Sequence, residues 1–404
     1  MKILLSAYSC EPFKGSEPAV GWNWALTLAK FKNETVVVTR KNNKHLINNY
    51  LKKNNSIKKY LKFYYYDLPS FLTVILKLKK NIYFYFFFWQ VGLFFFVKNL
   101  TKKISFDYIH HVTFVGIRIP SFLHLLKIPF IFGPISGGIN IKKNLRKSFT
   151  FKEKIFEYLR DLSNFYIPYS PLINLCFKRS EKIFVADKET LKLIPLIYKK
   201  KTSLLLGIGS KLNKKIKKNN FKKKIFRICF VGRLLSIKGI LISLKTIKKL
   251  KDKHKLLFEI AGSGPLKKKI IKFINENNLK NIVKLKGNLD KKKLTKLYKK
   301  SDILLFPSLR DSGGFVILEA AMYNTISAVL NVGGPDQLVD NKTGIKINIL
   351  NKTEDQISDA LFVKIDKHIK NRNLIKNKII NFKKKINKKY TWDYKYKYIY
   401  KNLN

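Results

Sequence analysis

The segment that most constrains the fold runs from Leu304 to Gly334 and reads LLFPSLRDSGGFVILEAAMYNTISAVLNVGG. A short apolar run of strand type, residues 302–306, is followed by a loop of turn-forming residues. Residues 315–322 then have the composition of a buried helix, and a second strand-like run ends in two glycines. This order predicts a strand–loop–helix–strand unit of an open parallel sheet, in which ligands bind beyond the carboxyl ends of the strands.

The loop and the start of this helix contain the candidate ligand-binding groups. A helix that begins beside glycine presents free backbone N–H groups to an anion, which predicts a phosphate near Gly313 and Gly314. Asp311 lies in the loop and Glu319 about one turn into the helix, so both carboxylates are expected to face the same ligand. Because a carboxylate accepts two hydroxyl protons, as a vicinal diol supplies, the combination indicates a nucleotide sugar.

This segment resembles the acidic motif of glycosyltransferase family 4, a family of retaining enzymes with the GT-B fold. In that motif two acidic residues separated by seven others face the donor, and here they are Asp311 and Glu319. Many members have Glu first, followed by Gly-Phe-Gly, whereas this chain has Asp-Ser-Gly-Gly-Phe, as one subgroup does. The resemblance implies that Glu319 holds the ribose, that Asp311 positions the sugar, and that helix amides after Gly313, including Phe315, bind the diphosphate. Outside this context, two acids at this spacing also occur by chance in many helices.

A basic loop follows the strand-like run at residues 226–231 and reads GRLLSIKG. A guanidinium forks onto phosphate oxygens and an ammonium adds a point charge, which is what a departing diphosphate needs. The resembling family has an Arg and a Lys in this motif with those roles, which implies the same for Arg233 and Lys238, beside Gly232. Without that context Lys238 is one of many surface lysines. In the family a later glycine loop, here around Gly264, forms a wall of the nucleobase site.

The N-terminal segment is read as a strand, Lys2 to Ser9, followed by a glycine-containing loop and an amphipathic helix. A phosphate can approach at Gly15 and Ser16, although a plain glycine turn without a ligand explains the same residues. The segment closely resembles the N-terminal loop of the same family subgroup. That resemblance implies a place between the donor diphosphate and the acceptor.

His110 and His111 end the strand-like run FDYIHHV. Adjacent residues on a strand point to opposite faces, so at most one of these rings faces a given cleft. In the resembling family a histidine at the end of this strand approaches the donor sugar, and His111 is the favoured candidate. A neutral histidine in the core or on the surface is the alternative.

Residues 82–97 are almost wholly apolar and aromatic, and lysines flank them. Sixteen residues are slightly fewer than the roughly 18 to 20 that cross a bilayer as a helix. A buried or partly buried helix, an interfacial helix at a membrane surface and a true membrane span therefore all remain open. The interfacial interpretation suits an enzyme with a lipid-linked acceptor.

The composition of the 404 residues, 46% of them apolar, suggests two or three folded domains. The net charge of +58 has two explanations, an A/T-rich coding sequence that favours Lys, Asn and Ile, or a surface that favours anionic lipid and phosphate-bearing substrates. No nucleic-acid-binding signature is found, so no specific nucleic-acid partner is expected.

The three cysteines have no metal-ligand spacing, the N-terminus does not read as a signal peptide, and no Asp-x-Asp pair occurs. We therefore expect a metal-independent enzyme in the cytoplasm, with the inner face of the membrane as a further option.

Together these patterns predict an α/β protein of the GT-B class, with two Rossmann-like, doubly wound domains that face each other across a cleft. We expect an acceptor domain at residues 1–210, a linker at 211–224, a nucleotide-sugar donor domain at 225–385 and a terminal helix at 386–404 that packs back on the first domain. The resemblance implies retaining hexosyl transfer to a glycan or lipid-linked acceptor in surface-polysaccharide or lipopolysaccharide synthesis, with no cofactor. The alternatives are a nucleotide-sugar epimerase or hydrolase, and a basic membrane- or nucleic-acid-binding protein without catalysis.

Overall fold

The computed structural model describes residues 1–70, 73, 82–210, 225–401 and 403. The chain divides into two compact units. The first unit comprises Met1–Gly138, Arg160–Gly209 and Trp392–Asn404, and the second comprises Ile139–Leu159 and Ser210–Thr391. The linker predicted at 211–224 lies outside the described residues.

The first unit is built on a parallel sheet that has seven strands among the described residues, in the order β3-β2-β1-β4-β5-β6-β7. Its strands are β1 (Lys2–Ala7), β2 (Glu34–Thr39), β3 (Leu61–Tyr65), β4 (Tyr108–Thr113), β5 (Phe130–Ile135), β6 (Lys182–Val185) and β7 (Thr202–Leu204). The central strands are apolar along almost their whole length because helices cover both faces of such a sheet. The strand order reverses between β1 and β4, which is where doubly wound sheets bind their ligands.

The second unit repeats this design with a parallel sheet in the order β10-β9-β8-β11-β12-β13. Its strands are β8 (Phe226–Val231), β9 (Leu256–Ala261), β10 (Val283–Gly287), β11 (Ile303–Phe306), β12 (Ile326–Leu330) and β13 (Ile345–Ile347). The reversal here lies between β8 and β11. These are the strands that precede the two predicted donor loops, so the topology places both loops at one edge of the sheet.

Helices alternate with the strands throughout the described residues. They are α1 (Ser16–Lys30), α2 (Lys44–Lys52), α3 (Asn55–Lys58), α4 (Ile82–Thr101), α5 (Phe151–Tyr166), α6 (Pro171–Arg179), α7 (Lys188–Lys192), α8 (Ile240–Lys251), α9 (Lys267–Glu276), α10 (Lys291–Lys300), α11 (Phe315–Met322), α12 (Gly333–Leu338), α13 (Glu354–Lys370), α14 (Asn373–Lys389) and α15 (Trp392–Tyr400). Side-chain caps fix several helix starts. Asp187 accepts from the Thr190 amide at α7, and Thr353 and Gln356 form a capping box at α13.

The aromatic stretch 82–97 forms most of α4, which is buried on one side only. Trp89 and Leu93 are fully buried in the core of the first unit, whereas Phe84 and Phe95 are 58% and 59% exposed. No helix among the described residues is long and apolar enough to cross a membrane. The structure therefore agrees with the partly buried interpretation of this stretch.

The C-terminal helix α15 packs against α1 within the first unit. The rings of Trp24 and Trp392 meet edge to face with their centroids 5.8 Å apart. The Tyr400 hydroxyl lies within hydrogen-bond distance of His110 Nδ1. The last helix thus contributes to the core around β4.

Candidate functional site

The centre of the candidate site is the Asp311 carboxylate, which lies in the loop between β11 and α11. Its Oδ1 accepts hydrogen bonds from the amides of Gly313 and Gly314 at 3.0 and 2.6 Å. Its Oδ2 accepts one from Lys238 Nζ at 2.7 Å. Gly314 has a left-handed backbone with φ of 77°, which favours glycine, and a Cβ there would lie 2.9 Å from the Leu338 side chain. A carboxylate is thus already held in front of a helix, through one oxygen by two amides and through the other by one cation.

The start of α11 keeps further donors beyond this carboxylate. The N–H groups of Phe315 and Val316 have no protein acceptor within the described part of the chain. Such N–H groups at a helix start, with the positive end of the helix dipole behind them, are well suited to bind an anion. Because α11 is short and otherwise apolar, Glu319 is its single charged side chain.

The two basic residues of the β8 loop differ in their surroundings. Lys238 ends a short 3₁₀ turn, is 19% exposed, and also donates to the Arg310 carbonyl at 3.3 Å. Arg233 is exposed and has no side-chain partner among the residues that the structure describes. Since β8 and β11 are neighbouring parallel strands, their loops leave the same edge of the sheet. Lys238 is therefore occupied by Asp311, whereas Arg233 is available to an incoming anion.

A hydrogen bond from a buried tyrosine holds the Glu319 carboxylate in place. Its Oε2 accepts a hydrogen bond from the Tyr298 hydroxyl at 3.1 Å, and Tyr298 is itself 1% exposed. Burial raises the pKa of Glu319, while the hydrogen bond from Tyr298 and the charge of Lys291 oppose that rise. A carboxylate fixed through one oxygen keeps its remaining lone pairs in a defined orientation, as recognition of a diol requires.

The predicted donor-site Gly264 and its neighbour Gly262 have a structural role that the sequence does not reveal, and Gly232 contributes a carbonyl to the same contact. A Cβ on Gly264 would lie 2.6 Å from the carbonyl oxygen of Leu234. A Cβ on Gly262 would lie 1.9 Å from the carbonyl oxygen of Gly232. The loops after β8 and β9 therefore pack backbone to backbone, which is sufficient to explain glycine at 262 and 264 without any ligand.

Arg310 and Glu157 form an ion pair that sequence reasoning missed. The Arg310 guanidinium donates to both carboxylate oxygens of Glu157, with Nη1 2.9 Å from Oε1, and its Nε donates to the Ile139 carbonyl at 3.2 Å. Both ions are largely buried, at 15% and 7% side-chain exposure. The Ser308 hydroxyl donates to the Arg310 carbonyl at 2.9 Å. This network fixes the loop that contains Asp311, and the available signal was an arginine adjacent to the acidic motif.

In the first unit, Gly15 and Ser16 are exposed at the start of α1, and a Cβ on Gly15 would meet nothing within 4 Å. The neighbouring Glu17 is the residue that the sequence analysis did not select. Its Oε1 accepts from the Val115 amide at 2.7 Å, and burial raises the pKa of the carboxyl to about 7. This bond ties the start of α1 to the loop after β4. An acid in the first helical turn is typical of a favourable interaction with the helix dipole, so the sequence pattern does not single out Glu17.

His110 and His111 are both buried, at 0% and 1% exposure. His110 Nε2 donates to the Gly133 carbonyl at 2.6 Å, and His111 Nε2 donates to the Phe114 carbonyl at 3.2 Å. The second nitrogen of each ring faces a hydroxyl, Tyr400 for His110 and Ser6 for His111. Burial lowers the pKa values to about 3 and about 4, so both rings are neutral at pH 7. Each histidine is thus bound to protein groups through both nitrogens.

The sequence also predicts that the enzyme needs no metal ion. Within the described ranges, no group of three or more His, Cys, Asp or Glu side chains is arranged to hold a metal ion. The Asp311 carboxylate is paired with the Lys238 ammonium, and the exposed Arg233 lies in the same β8 loop as Lys238. Metal independence of the reaction stays a prediction.

Comparison with known proteins agrees with this geometry. The family model "Glycosyl transferases group 1" matches residues 212–385. An uncharacterised glycosyltransferase of Methanocaldococcus jannaschii is 28% identical over 165 residues, which are 41% of this chain and 41% of that protein. The match thus spans about two fifths of that relative's length. An uncharacterised 41.2 kDa protein in the cps region of Klebsiella pneumoniae is 27% identical over 270 residues, covering 64% of this chain and 69% of its own length.

The whole chain also resembles solved structures. A crystal structure of HepE from Anabaena, in complex with UDP and glucose, superimposes with a TM-score of 0.64 at 12% identity. The alignment covers 100% of this chain and 99% of the other. At this identity the likeness shows the fold alone, and it confirms the predicted GT-B class of two Rossmann-like sheets.

Proposed function

We propose that the chain, whose residues 212–385 match the family model "Glycosyl transferases group 1", transfers a hexosyl group from a nucleotide-diphosphate sugar to an acceptor with retention of configuration. The observation that supports this best is the Asp311 carboxylate, which is held by Lys238 and by the amides before α11. Groups that hold both oxygens of a carboxylate are suited to hold phosphate oxygens in its place.

In the proposed complex the diphosphate lies at the start of α11. The amides of Phe315 and Val316, Lys238 and the exposed Arg233 neutralise it, and Glu319 accepts hydrogen bonds from the ribose diol. The acceptor hydroxyl attacks the anomeric carbon from the face that the diphosphate leaves, the bond from that carbon to the phosphate oxygen breaks, and the acceptor proton passes to the leaving phosphate. Catalysis is then mostly electrostatic, because fixed charges stabilise the developing negative charge on the leaving group.

The acceptor side is proposed for the first unit. Gly15 and Ser16 give an open, exposed approach at the start of α1, with Glu17 fixing the adjacent loop through the Val115 amide. His111 is proposed to shape this region from within the core, as a neutral ring that orients the Phe114 carbonyl. We propose a glycan or lipid-linked acceptor, used on the cytoplasmic side of the membrane in surface-polysaccharide synthesis; the relative in the cps region supports the polysaccharide assignment alone.

The first test is thermal stabilisation of the full chain by UDP, GDP and their sugar conjugates, because a ligand that binds the folded state raises the melting temperature. We expect one nucleotide to give a saturable shift that Glu319→Ala abolishes. Glu276→Ala is the matched control, since that glutamate is 57% exposed and, among the residues that the structure describes, pairs only with Lys272 one turn away. No shift with any nucleotide contradicts the proposal and favours a binding protein without catalysis.

Turnover distinguishes transfer from the other nucleotide-sugar reactions. We expect donor consumption to require an acceptor and to persist in the presence of EDTA. The anomeric proton coupling of the product, measured by NMR, should show the same anomeric configuration as that of the donor sugar. Donor consumption without an acceptor would identify a hydrolase or an epimerase on the same fold.

A further inference from the structure

Helix α5 exposes a continuous row of large apolar side chains. They recur at helical spacing and lie within an arc of about 120° of the helix circumference at 3.6 residues per turn. Their exposures are 78% for Phe151, 44% for Ile155, 60% for Tyr158, 54% for Leu159, 49% for Leu162 and 72% for Phe165. We call this row the apolar face of α5.

The opposite side of α5 is polar and buried, which reverses the usual arrangement of a surface helix. Glu157 is 5% exposed and is bound by Arg310, and Asn164 is 1% exposed and is bound by Arg118. Arg160 donates to the Gly137 carbonyl at 2.8 Å. Hydrogen bonds and ion pairs therefore fix the orientation of the helix, and the apolar face cannot turn inward without breaking them.

An exposed apolar row of this length indicates a partner that covers it. The partner's charge follows from the basic residues nearby, because Lys152 and Lys154 are exposed and lie on either edge of the apolar face. The chain as a whole has a net charge of +58. A second copy would bring the same lysines and the same excess charge to the contact, so self-association is opposed by repulsion.

The surface of an anionic bilayer matches both properties. An interfacial helix places its apolar side in the boundary between headgroups and acyl chains, while flanking lysines meet the anionic headgroups. Phenylalanine, tyrosine and leucine are the residues that such helices present. The apolar surface continues beyond the helix at Tyr169 and Leu172, which are 67% and 49% exposed.

We propose that the apolar face of α5 docks the protein on an anionic membrane surface, with α5 lying in the plane of the interface. This docking would depend on α5 alone, independently of the proposed transferase activity. The polar side of the same helix holds Arg310 through Glu157, so the docked helix also supports the loop that contains Asp311. The aromatic helix α4, for which the sequence left an interfacial location open, is not the docking element in this proposal.

The test is flotation of the full-length protein with vesicles of phosphatidylcholine alone and with 30% phosphatidylglycerol, at about 0.15 M salt, where surface charges are screened within about 8 Å. We expect binding to the anionic vesicles and at least a tenfold weaker partition for the triple variant Phe151→Ser, Tyr158→Ser, Phe165→Ser. Lys152→Glu with Lys154→Glu should weaken anionic binding to a similar degree. Circular dichroism and the melting temperature should match those of the wild type, because all five side chains are exposed.

Two controls make the result specific to α5. Val363→Ser with Ile380→Ser removes apolar side chains of similar exposure, 62% and 53%, from α13 and α14 and should not alter binding. Phe84→Ser, Phe88→Ser, Phe95→Ser does the same on α4. Undiminished binding of the α5 variant, or loss of binding only in the α4 variant, overturns the proposal.

The oligomeric state decides between a membrane and a second copy. Light scattering of the lipid-free wild type should give a monomer mass. A dimer that the α5 triple variant converts to monomer would show that the apolar face binds another chain, and would overturn membrane docking. A Tyr158→Trp variant adds a direct readout, because its emission should shift to shorter wavelength only with anionic vesicles.

Discussion

Replacing Asp311 by Asn is predicted to strengthen the binding of the free nucleoside diphosphate, although it removes a residue proposed to position the sugar. Asp311 occupies Lys238 and the two glycine amides, which are groups that a phosphate would use. Binding of a diphosphate must therefore displace or share these contacts. An asparagine oxygen still accepts from the amides of Gly313 and Gly314, so the loop keeps its shape while Lys238 loses its negative partner.

The size of the effect follows from the geometry of the pair. At the 2.7 Å that separates Lys238 Nζ from Asp311 Oδ2, two unit charges interact by about 6 kcal/mol at an effective dielectric constant near 20. Lys238 and Asp311 are each 19% exposed, so desolvation and screening reduce the net value of the pair towards about 1 kcal/mol. Releasing Lys238 should then lower the Kd of the nucleoside diphosphate about fivefold.

Isothermal titration with the nucleoside diphosphate that gives the larger thermal shift provides the measurement. The cycle comprises the wild type, Asp311→Asn, Lys238→Met and the double variant. Lys238→Met should weaken binding, and the Asp311→Asn change should have little effect in that background, because its benefit acts through the freed lysine. With the nucleotide sugar as substrate, Asp311→Asn should lower kcat.

Weaker binding of the free diphosphate by Asp311→Asn would contradict this prediction. That outcome would mean that the carboxylate assists the bound diphosphate, and that Lys238 prefers Asp311 even in the complex. An equal gain in diphosphate affinity from Asp311→Asn in the wild-type and Lys238→Met backgrounds would also contradict the prediction. The gain would then come from the loss of one negative charge and not from the freed lysine.

Three further predictions concern buried ionisable groups. Burial lowers the pKa of Lys395 to about 7 from 10.5, so the unfolded chain binds more protons between these values and stability should rise from pH 7 to pH 10; Lys395→Met should remove that rise in urea midpoints. Burial raises the pKa of Glu17 to about 7 from 4.5, so its contribution has the opposite sign, and stability should fall from pH 5 to pH 7 in the wild type but not in Glu17→Gln. Glu157→Ala leaves Arg310 buried without its partner and should cost about 3 kcal/mol in unfolding free energy and lower kcat, whereas Glu157→Gln, which retains a hydrogen-bond acceptor, should cost less. A Glu157→Ala variant as stable as the wild type would contradict the assignment of this pair.

The parts of the molecule that depend on local sequence could be predicted. Apolar runs of strand length followed by glycine loops and helices are short-range patterns, and they gave the α/β class and the position of the 304–334 unit. The carboxyl-end rule for parallel sheets then placed the loops of β8 and β11 together, so the proximity of Lys238 and Asp311 follows from topology.

The contacts that depend on distant parts of the chain could not be predicted. Arg310 and Glu157 are 153 positions apart, and no local pattern specifies that the two will meet. The hydrophobic periodicity of α5 predicts an amphipathic helix but not which side is buried, since that is decided by Arg310, Arg118 and Gly137 from elsewhere in the chain. The alternation of His110 and His111 was clear from the strand, yet the depth of burial of both rings depends on the layers around β4.

The close contact between the loops after β8 and β9 also limits how the protein can be redesigned. The Leu234 amide donates to the Ser263 carbonyl at 2.9 Å, and the Leu266 amide donates to the Leu234 carbonyl at 3.2 Å. The two loops are thus joined along their backbones, with glycine at 262 and 264 where no side chain fits. A chimera that takes one loop from a relative and keeps the other will place mismatched backbones against each other. Loop exchange aimed at a new nucleotide preference should therefore transfer residues 232–239 and 262–266 as one unit.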